Sequence, residues 1–146
     1  MPRSVRGSAA LNDQVYDGLA GFRLAMRRFL AFSEAALAEA GVTSQQYQAM
    51  LVVRTMPGRQ VRIRDLADQM LMPHNGAVQL IDRMCAGELA MRIPAEDDKR
   101  SVLIGLTSKG NDVLESLAKV HVKGMLVNEP LLAESLSRLR QVTELA

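Results

Sequence analysis

The chain has no tryptophan, two tyrosines, three phenylalanines and a single cysteine in its 146 residues. One cysteine excludes an intrachain disulfide framework, so packing has to hold the fold. With so few aromatics the interior falls to aliphatic side chains and nine methionines, whose flexible thioethers fill a core and can also adapt around a ligand. Long apolar runs are missing: the longest, Ala49 to Val53, is five residues, against the roughly 20 that span a bilayer. Met1 to Ser8 is polar and basic without the apolar centre of a signal peptide, which predicts a cytoplasmic protein with a disordered start. An excess of one charge is lacking too. The net charge of +2 is small for binding a polyanion in bulk, so the placement of charges matters more than their sum.

Catalytic signatures are also absent. There is no phosphate-binding glycine loop, nucleophile elbow or His-Glu-x-x-His pattern, so neither an enzyme nor a cofactor is expected. His74 and Cys85 share a helical azimuth but stand about 16 Å apart along a helix axis, too far to ligate one metal. Cys85, beside Met84, reads as a small buried hydrophobe, with redox sensing as the other reading. Glu96-Asp97-Asp98 runs into Lys99-Arg100, which makes a turn with local ion pairs a better reading than a metal site. His121 reads as a packing or interface residue.

What is present is a change of period over Arg64 to Thr107. Leu66, Ala67 and Met70 fall on one face of a helix from about Arg64 to Leu71. Leu71, Met72 and Pro73 form a turn, and a second helix begins at Pro73 or His74, since proline suits a first helical turn. Ala77, Ile81 and Met84 recur at helical spacing, widened by Val78 and Leu80, and His74, Asn75, Gln79 and Arg83 are left on the free side. Gly87 is placed to cap that helix. The period then becomes 2: Leu89, Met91 and Ile93 face one way and Ala90 and Arg92 the other, and Val102, Ile104 and Leu106 return as a second strand. The loop between them, Pro94 to Arg100, projects from the body, where a basic tip can reach a minor groove or phosphates. Helix, turn, helix and hairpin make a winged helix-turn-helix, whose second helix enters the major groove of DNA. Arg54, Arg59, Arg62 and Arg64 cluster ahead of the motif and Lys99 and Arg100 occupy the wing, so these are candidate phosphate contacts.

The flanks are helical. Val15, Leu19, Phe22, Met26 and Phe29 step by 4, 3, 4 and 3, a heptad-like seam on a helix from about Leu11 to Ala40. Gly41 suits the position just past its end, and Thr43-Ser44-Gln45-Gln46 reads as a capping box for a helix that Pro57-Gly58 stops. Beyond the wing, Thr107 caps a helix with Val113, Leu114, Leu117, Val120 and His121 on one face, and Pro130 begins a last helix with Leu132, Leu136, Leu139 and Val142. These flanks present more apolar face than a small winged unit needs, which favours subunit pairing over an intramolecular bundle, although periodicity alone fits both.

The stretch from Leu66-Ala67 through Asp82-Arg83, Asp98-Lys99-Arg100 and Leu106-Thr107-Ser108-Lys109-Gly110 resembles the MarR family of bacterial transcription regulators. The Asp-x-Arg wing followed by Leu-Thr-x-x-Gly is its most specific part, and the likeness extends over nearly the whole chain. It implies a mainly α fold with a small β-hairpin wing, residues 43–106 forming the winged helix-turn-helix and 11–40 with 107–146 a helical dimerisation region. It further implies a homodimer on a palindromic operator in double-stranded DNA, often a repressor, often released by a small lipophilic or phenolic ligand. Such a ligand, seated between the dimer region and the winged domain, would change half-site spacing. On this reading His74, Asn75, Gln79 and Arg83 approach bases while Arg62, Arg64, Lys99 and Arg100 hold the backbone. The chain departs from the pattern at Pro73, Asn75 and Gly76, where Ser or Thr is usual, and Gly76 costs the helix about 1 kcal/mol against Ala. The glycine expected before the first wing strand is also displaced, Gly87 being followed by Glu88-Leu89. The alternative function is a winged-helix protein-interaction module that has lost DNA affinity.

Overall fold

A computed structural model of the chain describes residues 10–96 and 101–142. The order is helix α1 (Asp13–Ala40), helix α2 (Ser44–Thr55), a 3-10 turn (Pro57–Arg59), strand β1 (Val61–Arg62), helices α3 (Ile63–Met70) and α4 (His74–Ala86), strands β2 (Ala90–Pro94) and β3 (Val102–Leu106), and helix α5 (Ser108–Arg140). The mainly helical fold with a small β wing is as the periodicities predict. Two compact units divide the chain, Phe32–Val122 in one and residues 10–31 with 123–142 in the other.

The helix ends of the Phe32–Val122 unit show how local chemistry sets the frame. Gly41 closes α1 at φ +68°, its N–H bonded to Ala38 O at 3.2 Å and that of Val42 to Leu37 O at 3.1 Å. This paired closure uses the carbonyls a helix leaves open at its C-terminus. Thr43 then opens α2 with the full capping box: its Oγ1 accepts from Gln46 N at 3.1 Å and Gln46 Oε1 accepts from Thr43 N at 3.1 Å. Helix α4 ends by the same closure as α1, Glu88 N to Cys85 O at 3.0 Å and Leu89 N to Met84 O at 2.9 Å. Gly87 is the C-cap as expected, but at φ −81°, and the left-handed residue is Glu88 at φ +61°. A side chain there crowds the backbone, which glycine avoids. Glu88→Gly is therefore expected to raise stability by about 0.5–1 kcal/mol, the strain relieved exceeding the added unfolded-state freedom. Urea denaturation checks this; Glu88→Ala, which keeps the Cβ, should gain nothing.

The core of this unit gathers Met50 and Val53 from α2, Val61 from β1, Leu66 from α3, Leu80, Ile81 and Met84 from α4, and Ile104 from β3, all fully buried. Each such aliphatic side chain stabilises the fold by about 1.5–3 kcal/mol relative to exposure. The wing is a three-stranded antiparallel sheet of order β1-β3-β2, one strand more than the expected hairpin. Val61 stands opposite Ile104 and Ala90 opposite Leu106, so these residues share the core face and Met91, Ile93, Leu103 and Gly105 the other. Leu89 does not join Met91 and Ile93 as its spacing suggested. It precedes the strand and is buried in the core, because the left-handed Glu88 resets the alternation.

Helix α5 starts on Thr107. Its N–H donates to Leu89 O at 3.1 Å, its hydroxyl donates to Glu88 O at 2.5 Å, and the same oxygen accepts from Gly110 N at 2.9 Å. One residue thus caps α5 and ties it to the end of α4. Further along, His121 is buried: Nδ1 donates to the Leu117 carbonyl at 2.7 Å, which leaves Nε2 to accept from the Ser33 hydroxyl at 2.8 Å. Its ring stacks on Tyr47 with centroids 4.4 Å apart, and burial raises the Tyr47 phenol above its ordinary value.

In the other unit α1 meets α5 through small residues. A Cβ on Gly18 would come within 3.0 Å of the Leu139 side chain and the Ser135 carbonyl, and one on Gly21 would collide with the Ser135 hydroxyl. The expected seam therefore splits. Val15, Gly18 and Ala25 are buried while Leu19 and Met26 are exposed. Nor does a last helix begin at Pro130, which lies inside α5. The ring costs the helix a hydrogen bond and crowds the carbonyl one turn back, roughly 3 kcal/mol. Packing of Ser135 and Leu139 against α1 carries the helix through that cost.

Candidate nucleic-acid interface

Helix α3, the turn at Leu71 to Pro73 and helix α4 form the helix-turn-helix. Leu71 adopts the left-handed conformation (φ 53°, ψ 44°) and is 94% exposed. Pro73 is the N-cap of α4, extended at ψ 153° and without a side-chain cap, so the helix starts at His74 and its first N–H groups point outward unshielded. Ala77, Leu80, Ile81 and Met84 turn to the core. On the opposite side His74, Asn75, Gln79 and Arg83 are all exposed, as their spacing predicts. Asn75, Gln79 and Arg83 follow at intervals of four, a single stripe, and the row from His74 to Arg83 is about 14 Å long. Arg83 has no ion-pair partner among the described residues. A Cβ on Gly76 would meet only Pro73 Cδ, at 3.8 Å, so no contact within the chain requires a glycine there.

The other basic candidates are dispersed by the fold. Arg62 is half-buried in β1 opposite Leu103, on the sheet face that does not pack on α4. Arg64 is exposed in the first turn of α3, 3.9 Å from the Asp65 carboxylate. Lys99 and Arg100 lie outside the described residues. Arg54 and Arg59, both exposed, line with Met91, Ile93 and Gly105 a cleft of about 180 Å3 on the sheet face opposite α4.

One contact escaped the sequence reading. Arg92 of β2 donates to the Asp82 carboxylate of α4, joining the wing to the helix that carries the exposed row. Both residues are substantially exposed, so the pair contributes little to stability; its effect is to set one element against another. Asp82 beside Arg83 was visible in the sequence, but only the register of β2 on β3 identifies Arg92 as its partner. Cys85 is half-buried against the core, in keeping with a packing role. No group of His, Cys, Asp and Glu suited to a metal ion occurs among the described residues, and none of their helices is long and apolar enough to cross a membrane.

Comparison with known proteins places this geometry. The MarR family model matches residues 40–101. No curated protein sequence matches the chain. Among solved structures, the chain is similar to AbsC, a MarR family transcriptional regulator from Streptomyces coelicolor, with TM-score 0.73, 22% identity and 94% of each chain covered. It is similar to a MepR mutant from S. aureus, with TM-score 0.71, 18% identity and coverage of 84% of this chain and 96% of that one. A mutant MarR from E. coli complexed with operator DNA matches with TM-score 0.69 and 18% identity, over 92% and 96% of the two chains. At these identities the structural likeness is one of fold. Residues 40–101 of this chain match the MarR family model, and the chain has the fold of these MarR family structures.

Proposed function

We propose that the chain is a sequence-specific DNA-binding transcription regulator, acting in the cytoplasm as a homodimer on a palindromic operator, and a repressor released by a small lipophilic or phenolic ligand. The observation that carries this reading is the row of exposed polar side chains on α4, held on a helix whose other side is wholly committed to the core. His74, Asn75, Gln79 and Arg83 supply donors and acceptors of the kind that read base edges in the major groove. Arg62, Arg64, Lys99 and Arg100 hold the phosphates, and the uncapped start of α4 adds backbone N–H groups to them. The E. coli MarR structure with operator DNA supports this use of the fold.

Pairing is supported by the apolar side chains that α1 and α5 leave outside their own contact. Leu19, Met26 and Leu30 on α1 and Met125, Leu126 and Val127 on α5 are exposed, and a second copy would cover them. Residues 11–40 and 107–146 would then serve dimerisation and 43–106 DNA binding. A twofold axis sets the two α4 helices about 34 Å apart, one turn of DNA.

The test is selection of bound fragments from a genomic library followed by salt titration. An enriched palindrome is expected. Four phosphate-holding cations per protomer make about eight in the dimer, so affinity should fall about ten-thousandfold as salt rises from about 50 to about 200 mM. No enriched palindrome and a flat salt response would overturn the proposal in favour of a protein-interaction module.

A further inference from the structure

We propose that Asn75 is a site of spontaneous deamidation: the Gly76 backbone nitrogen displaces its side-chain amide, and the exposed row of α4 acquires a carboxylate as the protein ages.

The chain holds four asparagines, Asn12, Asn75, Asn111 and Asn128, and only Asn75 is followed by glycine. A side chain on the following residue screens the backbone nitrogen from the amide carbon and restricts the dihedrals that bring the two together. Glycine removes both obstacles. The other three carboxamides are engaged: Asn12 Oδ1 accepts from Val15 N at 3.2 Å, Asn111 Oδ1 accepts from the Arg54 guanidinium at 3.2 Å, and Asn128 Nδ2 donates to Gly124 O at 3.1 Å. Asn75 is exposed, and among the described residues its carboxamide has no hydrogen-bond partner.

A helix ordinarily blocks this reaction, because the nitrogen that must attack is bonded to the previous turn. At the start of α4 it is not. The first bond of the helix runs from Ala77 N to Pro73 O at 3.1 Å, so the Gly76 N–H is one of the orphan donors of the first turn. It has no acceptor among the described residues. Pro73 supplies no side-chain cap, and Gly76 weakens the same turn by its low helix propensity. Both ease the local opening that carries the backbone out of helical dihedrals and brings the nitrogen onto the amide carbon. No packing contact opposes a methyl group at position 76, since a Cβ there would meet only Pro73 Cδ, at 3.8 Å.

The reaction needs only water. The Gly76 N–H gives its proton to solvent hydroxide, its nitrogen bonds to Asn75 Cγ, and the Cγ–Nδ2 bond breaks as Nδ2 takes a proton from solvent and leaves as ammonia. Water then opens the cyclic imide. Cleavage between the nitrogen and Cγ gives aspartate; cleavage between the nitrogen and the Asn75 main-chain carbonyl carbon gives isoaspartate, whose main chain runs through Cβ and Cγ. Either product places a negative charge in the first turn of α4. A helix N-terminus favours an anion, so aspartate leaves the fold intact. The effect on DNA rests on the proposed function: the row loses an amide donor to base edges and sets a carboxylate against the phosphates.

The full chain is incubated without DNA for days at physiological temperature, in buffers of rising pH. Its tryptic peptide 65–83, which contains Asn75, is compared by mass spectrometry with that of an unincubated sample. Conversion at Asn75 is expected to exceed that at Asn12, Asn111 and Asn128, and to quicken with pH because the step begins by losing an amide proton. Gly76→Ala should slow it at least about tenfold. An unchanged peptide, conversion spread evenly over the four asparagines, or equal rates for wild type and Gly76→Ala overturns the site. For the consequence, fresh chain and Asn75→Asp are compared on the selected operator by fluorescence anisotropy. The variant should bind at least about tenfold more weakly with its thermal unfolding unchanged; equal affinities overturn this part. A fresh chain that binds no DNA yet converts at Asn75 refutes the proposed function and keeps the site, and a chain that binds its operator but never converts does the opposite.

Discussion

Gly110→Ala is expected to lower the free energy of unfolding by about 3 kcal/mol, at the upper end of what overpacking costs. Gly110 is buried in the first turn of α5, against the end of α4. A Cβ there would overlap the Leu89 carbonyl oxygen and stand 3.0 Å from Leu89 C and 3.3 Å from its Cα. Every one of these neighbours is backbone, so no rotamer change makes room. Helix α5 would have to lift, stretching the Thr107 N–H bond to Leu89 O and the Thr107 hydroxyl bond to Glu88 O. Leu89 cannot retreat, because its side chain is part of the core. Urea denaturation followed by circular dichroism gives the number. Ser108→Ala, two residues away and exposed, is the control and should change stability by less than about 0.5 kcal/mol. A loss below about 1 kcal/mol for Gly110→Ala would show that the first turn of α5 yields, contrary to the packing described above. The same contact explains the Leu-Thr-x-x-Gly motif: the threonine caps α5 and bonds back to Glu88, and the glycine lets the two backbones touch.

Arg83→Ala is expected to weaken operator binding by about 1–3 kcal/mol, roughly 5- to 150-fold, with the fold and the dimer intact. Arg83 is exposed at the far end of the α4 row, and removing it leaves no buried group unpaired. Asp82 next to it is engaged with Arg92, so it does not neutralise Arg83 in place. Fluorescence anisotropy on the selected operator, with thermal unfolding in parallel, measures both sides. The salt dependence then assigns the contact: a slope reduced by about one places Arg83 on a phosphate, and an unchanged slope with relaxed preference at one base pair places it on a base edge. Equal affinities for wild type and variant would remove Arg83 from the interface.

The features readable in the sequence were those made by neighbours along the chain. The capping box at Thr43, the left-handed Gly41, the turn at Leu71 to Pro73 and the exposed row of α4 each depend on side chains within four residues of one another, so spacing and residue type suffice. The alternation of β2 and β3 was legible for the same reason. Its start was misread because Glu88 adopts a conformation that a glycine would have announced.

What tertiary structure decided were the contacts made across long separations. Pro130 looked like a helix start, yet the packing of Ser135 and Leu139 on α1 carries α5 through it, since a local cost of a few kcal/mol can be outweighed by burial. The heptad-like run on α1 divides, with Val15 buried, Phe22 and Phe29 half-buried and Leu19 and Met26 exposed, because periodicity names a face without naming what covers it. The four arginines from Arg54 to Arg64 looked like one basic cluster. They sit on four different elements, Arg54 on α2 and Arg59 on the 3-10 turn at a cleft behind the wing, Arg62 in β1 and Arg64 at the start of α3. The sequence by itself determined the elements, their caps and the row on α4, because those energies are local. The partners of Arg92, Gly110 and Arg59 follow from which surfaces meet, and only the folded chain brings those surfaces together.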